Sequence, residues 1–196
     1  DLIDREYPTV EDYLRSLDRN SSALRRANPS HASLHTTQHR IVNTVSDAEP
    51  DDVAAAKELT NEAIDDVIDS VESSKDRAAA RAVSEIADDD VLLTHDFSST
   101  VLAAIDDAIE AGHSFEVYVT ESRPRFLGRK MTRHLSDRDG VDVTLIVDSA
   151  AGHFMPEVDR VLVGMDCIVD DTLYNRIGTY PIATAAADND VPVTVV

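Results

Sequence analysis

The clearest hydrophobic pattern in the chain runs from Val91 to Gly112. Val91, Leu92 and Leu93 form a short unbroken apolar run, as expected of a strand covered on both faces. Thr94, His95 and Asp96 follow, then Phe97 and three hydroxyls, Ser98, Ser99 and Thr100. After them Val101, Leu102, Ile105, Ala108 and Ile109 recur at helical spacing. Ser98 or Ser99 suits the N-cap, and Phe97 is set to staple onto Leu102. Gly112 stands where a left-handed residue ends a helix.

The same reading downstream predicts strands at 91–94, 115–120, 142–147, 159–163 and 192–196. Helices fit 98–111, 128–137 and 178–189, with a short turn near 149–154. Strands alternating with helices imply an α/β fold, a parallel sheet joined by right-handed crossovers. Upstream the period is helical throughout. Val10, Tyr13, Leu14 and Leu17 mark a short helix, a turn is expected around Asn28-Pro29-Ser30, and a helix is plausible from Leu34 to Val45. Val53, Ala56, Leu59, Ala63, Ile64, Val67 and Val71 predict a longer helix capped by Asp47 or Asp51, and a separate one spans roughly Lys75 to Ala87. The expected division is a helical domain over 1–87 and a sheet domain over 88–196.

Charge changes this picture. The chain carries 38 acidic and 18 basic residues, a net charge of −20, and only three lysines: Lys57, Lys75 and Lys130. Self-repulsion of that size is screened only at high ionic strength, so a halophilic cytoplasm is the expectation. Direct nucleic-acid binding is disfavoured, because the overall field repels phosphate backbones. No apolar run reaches the ~20 residues of a membrane helix, and no leader is visible, so no membrane partner is expected. Cys167 is the only cysteine and the histidines lack metal-ligand spacing, so neither a metal nor a cofactor is predicted.

In parallel sheets ligands sit beyond the carboxyl ends of the strands, and the polar residues gather there. Thr94, His95 and Asp96 follow the first predicted strand; Thr120, Glu121, Ser122 and Arg123 the second; Asp148 and Ser149 the third; Gly164, Met165 and Asp166 the fourth. The turn at Ser98, Ser99 and Thr100 opens a helix whose free N–H groups and dipole favour an anion. Residues 123–138 hold six of the basic residues, among them Arg123 and Arg125, which can grip a phosphate bidentately. Gly128 allows close approach at the next helix. Asp166 can bind sugar hydroxyls or act as an acid or base. Asn175 offers hydroxyl contacts and Arg176 a phosphate contact. Arg19, Arg25 and Arg26 can face an anion or stand as solvated helix charges.

Together LLTHDFSSTV, ESRPRFLGRKMT, DVTLIVDSAAGHFM, VDRVLVGMDCI and NRIGTYPIA resemble the family of initiation factor 2B alpha, beta and delta subunits. That family includes ribose-1,5-bisphosphate isomerase and methylthioribose-1-phosphate isomerase. The resemblance covers residues 91–196 in order and points to a haloarchaeal member. It implies a Rossmann-like domain, with helices on both faces, that binds a phosphorylated sugar or nucleotide, and a homo-oligomer, a dimer or higher, or association with related subunits. In the family's isomerases a cysteine after the first strand works with an aspartate. The aspartate maps onto Asp166 and the cysteine onto Asp96, so the thiol is absent. The family's Asn-Lys pair maps onto Asn175 and Arg176, and its arginine after the aspartate is Cys167 here. Family chains usually continue past the point matched by Val196, so a trimmed or shortened member is the expectation. The reading put first is a non-isomerase member that binds a phosphorylated ligand in a regulatory or translation-factor-like role. The alternatives are an isomerase using Asp166 with Asp96, and an assembly subunit whose pocket is vestigial.

Overall fold

A computed structural model describes residues 2–28 and 32–196. The turn expected at Asn28-Pro29-Ser30 falls largely outside them. The chain divides into two compact units, Asp1–Ser73 and Ser74–Val196.

The first unit is helical. It comprises α1 (Val10–Ala27), α2 (Ala32–Asp47) and the first turns of α3 (Val53–Val83). Thr9 caps α1 by accepting the Asp12 N–H at 3.1 Å. Tyr13, Leu17, Ile41, Val45, Ala56, Ala63 and Val67 form the core, the face that helical spacing had marked. The Tyr13 hydroxyl is buried there and donates to Thr60 Oγ1 at 2.8 Å, which satisfies it. A cavity of about 650 Å³ opens beside this core. Its lining is mostly aliphatic and contains no arginine, lysine or histidine, so it offers no cation for a phosphate.

Two expectations change in α3. It is one helix of 31 residues, not two. Residues 72–75 are Glu-Ser-Ser-Lys, with neither glycine nor proline to break it. Its cap is Asp52, whose Oδ1 accepts the Ala55 N–H at 2.8 Å, rather than Asp47 or Asp51.

The second unit is the α/β fold that the pattern predicts. In order it holds β1 (Val91–His95), α4 (Ser99–Glu110), β2 (Phe115–Thr120), α5 (Gly128–Leu135) and β3 (Val141–Ile146). A short irregular helical stretch containing α6 (Ala151–Phe154) leads to β4 (Arg160–Val163). A hairpin of β5 (Cys167–Val169) and β6 (Thr172–Tyr174) follows, then α7 (Thr179–Asp188) and β7 (Val193–Val195). Five strands form one sheet in the order β3-β2-β1-β4-β7, all parallel. One face packs Leu92, Val117, Val119 and Leu162 against α4, α5 and the last turns of α3, through Val101, Ile105, Met131, Leu135, Ala79 and Ala82. The other packs Leu93, Tyr118, Val161 and Val163 against α6, the turn after it and α7, through Ala151, Met155, Ile182 and Ala186. Coverage of both faces is why the central strands β1 and β4 read as apolar runs.

From β1 the chain winds outward to β2 and β3, then returns to the other side of β1 with β4. The carboxyl ends of β1 and β4 are therefore the topological switch point, where the two crossovers leave in opposite directions and a crevice opens. Among the described residues no helix is long and apolar enough to cross a membrane.

Candidate functional site

The polar residues that follow the strands meet at this carboxyl edge. Asp96 follows β1 in a left-handed conformation, φ 68°, and Ser122 follows β2 at φ 60°. Such backbone costs of order 1–3 kcal/mol for a residue with a side chain and persists only where neighbours hold it. Here they hold each other. The Asp96 N–H donates to Ser122 Oγ at 2.7 Å. The carboxylate of Asp148, just past β3, accepts the N–H groups of Ser122 and Arg123 at 2.7 and 2.8 Å. Asp148 thus ties the third strand's end to the second and presents Ser122 to the first.

His95 is 2% exposed and sits under the segment that precedes α7. Its Nε2 faces the Ile177 carbonyl at 2.8 Å, so that nitrogen carries the proton. Nδ1 then accepts from Thr120 Oγ1 at 2.6 Å. Gly178, at φ 114°, lies on the ring; a Cβ there would fall 2.5 Å from Cε1 and Nε2. His95 was expected to touch a ligand. Both of its nitrogens are instead taken by the chain itself: Nε2 holds the 175–178 segment and Nδ1 the end of β2.

That segment delivers Arg176 between two acids. Its Nε lies 3.2 Å from Asp96 Oδ2 and its Nη2 3.3 Å from Asp166 Oδ1. Asp96 is buried, and its Oδ1 has no hydrogen-bond partner among the described residues. Asp166 follows β4 and is half-buried, its N–H donating to the Tyr174 carbonyl of the β5–β6 hairpin at 2.9 Å. Asn175 donates to Thr179 Oγ1 at 3.0 Å and so steadies the start of α7. The two candidate acid–base residues therefore lie at the switch point with one guanidinium between them.

Around this centre the expected phosphate contacts fare unequally. Ser98 is the N-cap of α4 and accepts the Val101 N–H at 3.3 Å. Ser99 is exposed and Thr100 half-buried in the first turn, where N–H groups lack intrahelical partners. Gly164, at the end of β4, lies against Ser98; a Cβ would come within 2.7 Å of the hydroxyl. Thr94 is 1% exposed inside β1, its hydroxyl without a partner among the described residues.

Arg123 was expected to grip an anion freely. Its Nε is bound to Glu121 Oε1 at 2.6 Å, and Arg129 Nη2 reaches the other oxygen at 3.0 Å. Glu121 is buried, and these two hydrogen bonds hold its carboxyl below the usual range, while the Arg123 guanidinium is pushed up by the same bond. Both arginines also stack on Phe126, 5.1 and 4.1 Å from its centroid. A buried acid two residues away holds Arg123 because a carboxylate shielded from water needs its counter-charges close, and Arg123 and Arg129 supply them. Arg125 is exposed and forms no ion pair with the described residues. Gly128 also departs from expectation. The close approach it permits is to the chain itself: a Cβ would sit 1.7 Å from the Thr120 carbonyl oxygen.

The roles of Asp148 and Gly178 escape a linear reading, because their partners lie at the ends of other strands; Glu121 has its partners nearby, at Arg123 and Arg129, and only its burial was hidden. A cleft of about 400 Å³ adjoins the centre on the α6–α7 face, lined by Asp148, Ser149, Gly152, Gly178, Pro181 and Ile182. That volume lies within the ~300–1,000 Å³ typical of small-molecule pockets. No group of three or more metal-ligating side chains is found among the described residues.

The family model for the initiation factor 2 subunit family matches residues 2–196. The chain belongs to that family. Its relatives within it include ribose 1,5-bisphosphate isomerases of Haloterrigena turkmenica, 31% identical over 98% of this chain, and Methanocaldococcus jannaschii, 33% identical over 93%. This chain spans 57% of the length of each. Among solved structures it is similar to the translation initiation factor eIF-2B of Pyrococcus horikoshii, with a TM-score of 0.82 at 30% identity. That match covers 93% of this chain and 62% of the other. The 5-methylthioribose 1-phosphate isomerase of the same organism shares the fold, with a TM-score of 0.79 at 24% identity, covering 99% and 57%. The family's relatives thus include proteins named as sugar-phosphate isomerases. They favour the isomerase reading over the translation-factor-like one put first from the sequence.

Proposed function

We propose that this chain carries the phosphosugar-binding and acid–base part of a sugar-phosphate isomerase that converts a 1-phosphorylated aldose to its ketose. The observation that carries the reading is the pairing of Asp96 with Asp166 through Arg176 at the switch point, at 3.2 and 3.3 Å. A sugar phosphorylated at C1 has no free anomeric hydroxyl, so the ring opens only with help. One carboxyl group gives a proton to the ring oxygen as its bond to C1 breaks. The other takes the proton of the C2 hydroxyl while the C2 hydrogen passes to C1 as hydride, leaving a ketone at C2. No proton or electron is gained or lost overall. One phosphate is assigned to the exposed first turn of α4 with Arg125 and a second to Arg176, and the hydroxyls to Asn175 and the two aspartates.

The test is turnover of ribose 1,5-bisphosphate by this chain in molar KCl. Asp166→Asn should lower kcat by about 10²–10⁴, the usual contribution of a positioned acid or base, without loss of fold. Turnover that survives the substitution, or no turnover by the unsubstituted chain, would reject the reading.

A second reading, binding without chemistry, is favoured by the absent thiol. The chain would then bind the same ligand class and turn nothing over. In either case we infer a homodimer. Met165, Ile168, Val169, Tyr174, Ile177 and Tyr180 are exposed apolar side chains, Ile177 at 90% and Tyr180 at 84%. Residues 172–187 contain no aspartate or glutamate, in a chain of net charge −20. Exposed apolar side chains in number mark an interaction surface, and the acid-free stretch around Ile177 and Tyr180 is where two such chains can meet with least repulsion. Sedimentation should give a dimer that Ile177→Asp with Tyr180→Asp converts to a monomer. A monomeric parent chain, or a dimer indifferent to both changes, would refute it.

A further inference from the structure

We propose that Arg176 is a latch opened by phosphate: an incoming phosphate takes the guanidinium from Asp96 and Asp166 and frees the two carboxylates for the sugar. The proposal rests on the phosphosugar reading of the site and adds how the site is controlled.

The distances separate Arg176 from the other arginines of this edge. Charge-assisted N–H···O bonds are usually about 2.7–2.9 Å long. Arg123 meets Glu121 at 2.6 Å and Arg129 meets the other oxygen of that acid at 3.0 Å, both on a single carboxylate. The contacts of Arg176, at 3.2 and 3.3 Å, are long, and they are divided between two acids on different strands. A guanidinium spread in this way lacks the parallel fork that it makes with a single carboxylate or phosphate. A phosphate offers that fork, so exchange improves the geometry for Arg176.

Access and attachment fit the same role. The side chains of Arg176 and Asp166 are 35% and 24% exposed, within reach of a dissolved anion, whereas that of Asp96 is 10% exposed. The backbone around it is pinned: the Ile177 carbonyl to His95, Gly178 onto the same ring, and the Arg176 carbonyl to the Thr179 N–H at 3.1 Å. What moves is therefore the side chain, while the segment stays. Asp96 Oδ1 is buried with no donor among the described residues, so a ligand hydroxyl has an acceptor waiting for it.

Two aspartates and one arginine leave a local charge of −1, which also repels phosphate directly. Competition for Arg176 and repulsion by Asp166 are separable, because only competition requires Arg176. Calorimetric titration of inorganic phosphate into the chain in molar KCl reads both. Asp166→Asn should tighten phosphate binding about three- to fivefold, the worth of one partly exposed ion pair removed as a competitor. In an Arg176→Gln background the same substitution should change affinity by less than about twofold. Equal tightening in both backgrounds, or none in the first, overturns the latch. If Arg176→Gln fails to fold because Asp96 loses its partner, the unsubstituted chain decides. The Arg176 Nε–H resonance should move on phosphate addition, and a stationary resonance overturns the latch. A chain that turns over ribose 1,5-bisphosphate while Asp166→Asn tightens equally in both backgrounds keeps the isomerase reading and loses the latch. No measurable phosphate binding by the unsubstituted chain loses both.

Discussion

Glu121 decides much of the site's geometry from a position that its sequence neighbours do not advertise. It is buried, accepts from Arg123 and Arg129, and is held below the ordinary carboxyl value of 4.5 by those two hydrogen bonds. A carboxyl group lowered by folding stabilises the fold above its unfolded value and loses that contribution as pH falls through its folded one. The stability from Glu121 is therefore whole at neutral pH and declines below about 4.5. Glu121→Gln should melt below the parent chain at pH 7, and the gap should narrow steadily toward pH 3. A gap that does not change with pH, in melts followed by circular dichroism, would mean that the carboxylate charge is not what holds the two arginines. At this scale the residue types at the strand ends were legible and their partners were not. Asp96 and Asp166 were paired through the resemblance and Arg176 was picked out separately, but that one guanidinium joins both acids follows only from the return of β4 to the side of β1.

Elements were more legible where their patterns were long. The strand, capped helix and terminal glycine of β1–α4 match their expected places, with Ser98 as cap and Gly112 at φ 93°. The β5–β6 hairpin was missed because its strands are three residues each, too short to show a period of two. The α5 start shows how close packing hides in a single letter. Gly128→Ala would place a methyl 1.7 Å from the Thr120 carbonyl, and neither backbone can yield cheaply. It should cost at least the upper part of the ~1–3 kcal/mol usual for overpacking. Gly112→Ala, with nothing within 4 Å of its Cβ, should cost only the ~1–2 kcal/mol of a left-handed backbone. Urea denaturation of the two variants checks the order, and equal losses would show that α5 does not rest against the end of β2.

For the whole molecule, charge is the governing quantity. At −20 the chain repels itself, and the Debye length falls from ~10 Å at 0.1 M salt to ~3 Å at 1 M. The melting temperature should therefore climb between 0.1 and 2 M KCl; a flat profile would show that the acids are already compensated at low salt. This follows from composition alone, as do the apolar runs that place strands and the helical periods between them, because each depends on residues near one another in the chain. The tertiary structure decided what depends on residues far apart. Strand order made the switch point, Asp148 was brought to Ser122 and Arg123, His95 was turned inward to hold Ile177, and Arg176 was set between Asp96 and Asp166. Local patterning reports which surface of an element is buried; which charges meet is settled only once the sheet has brought distant strand ends to one edge.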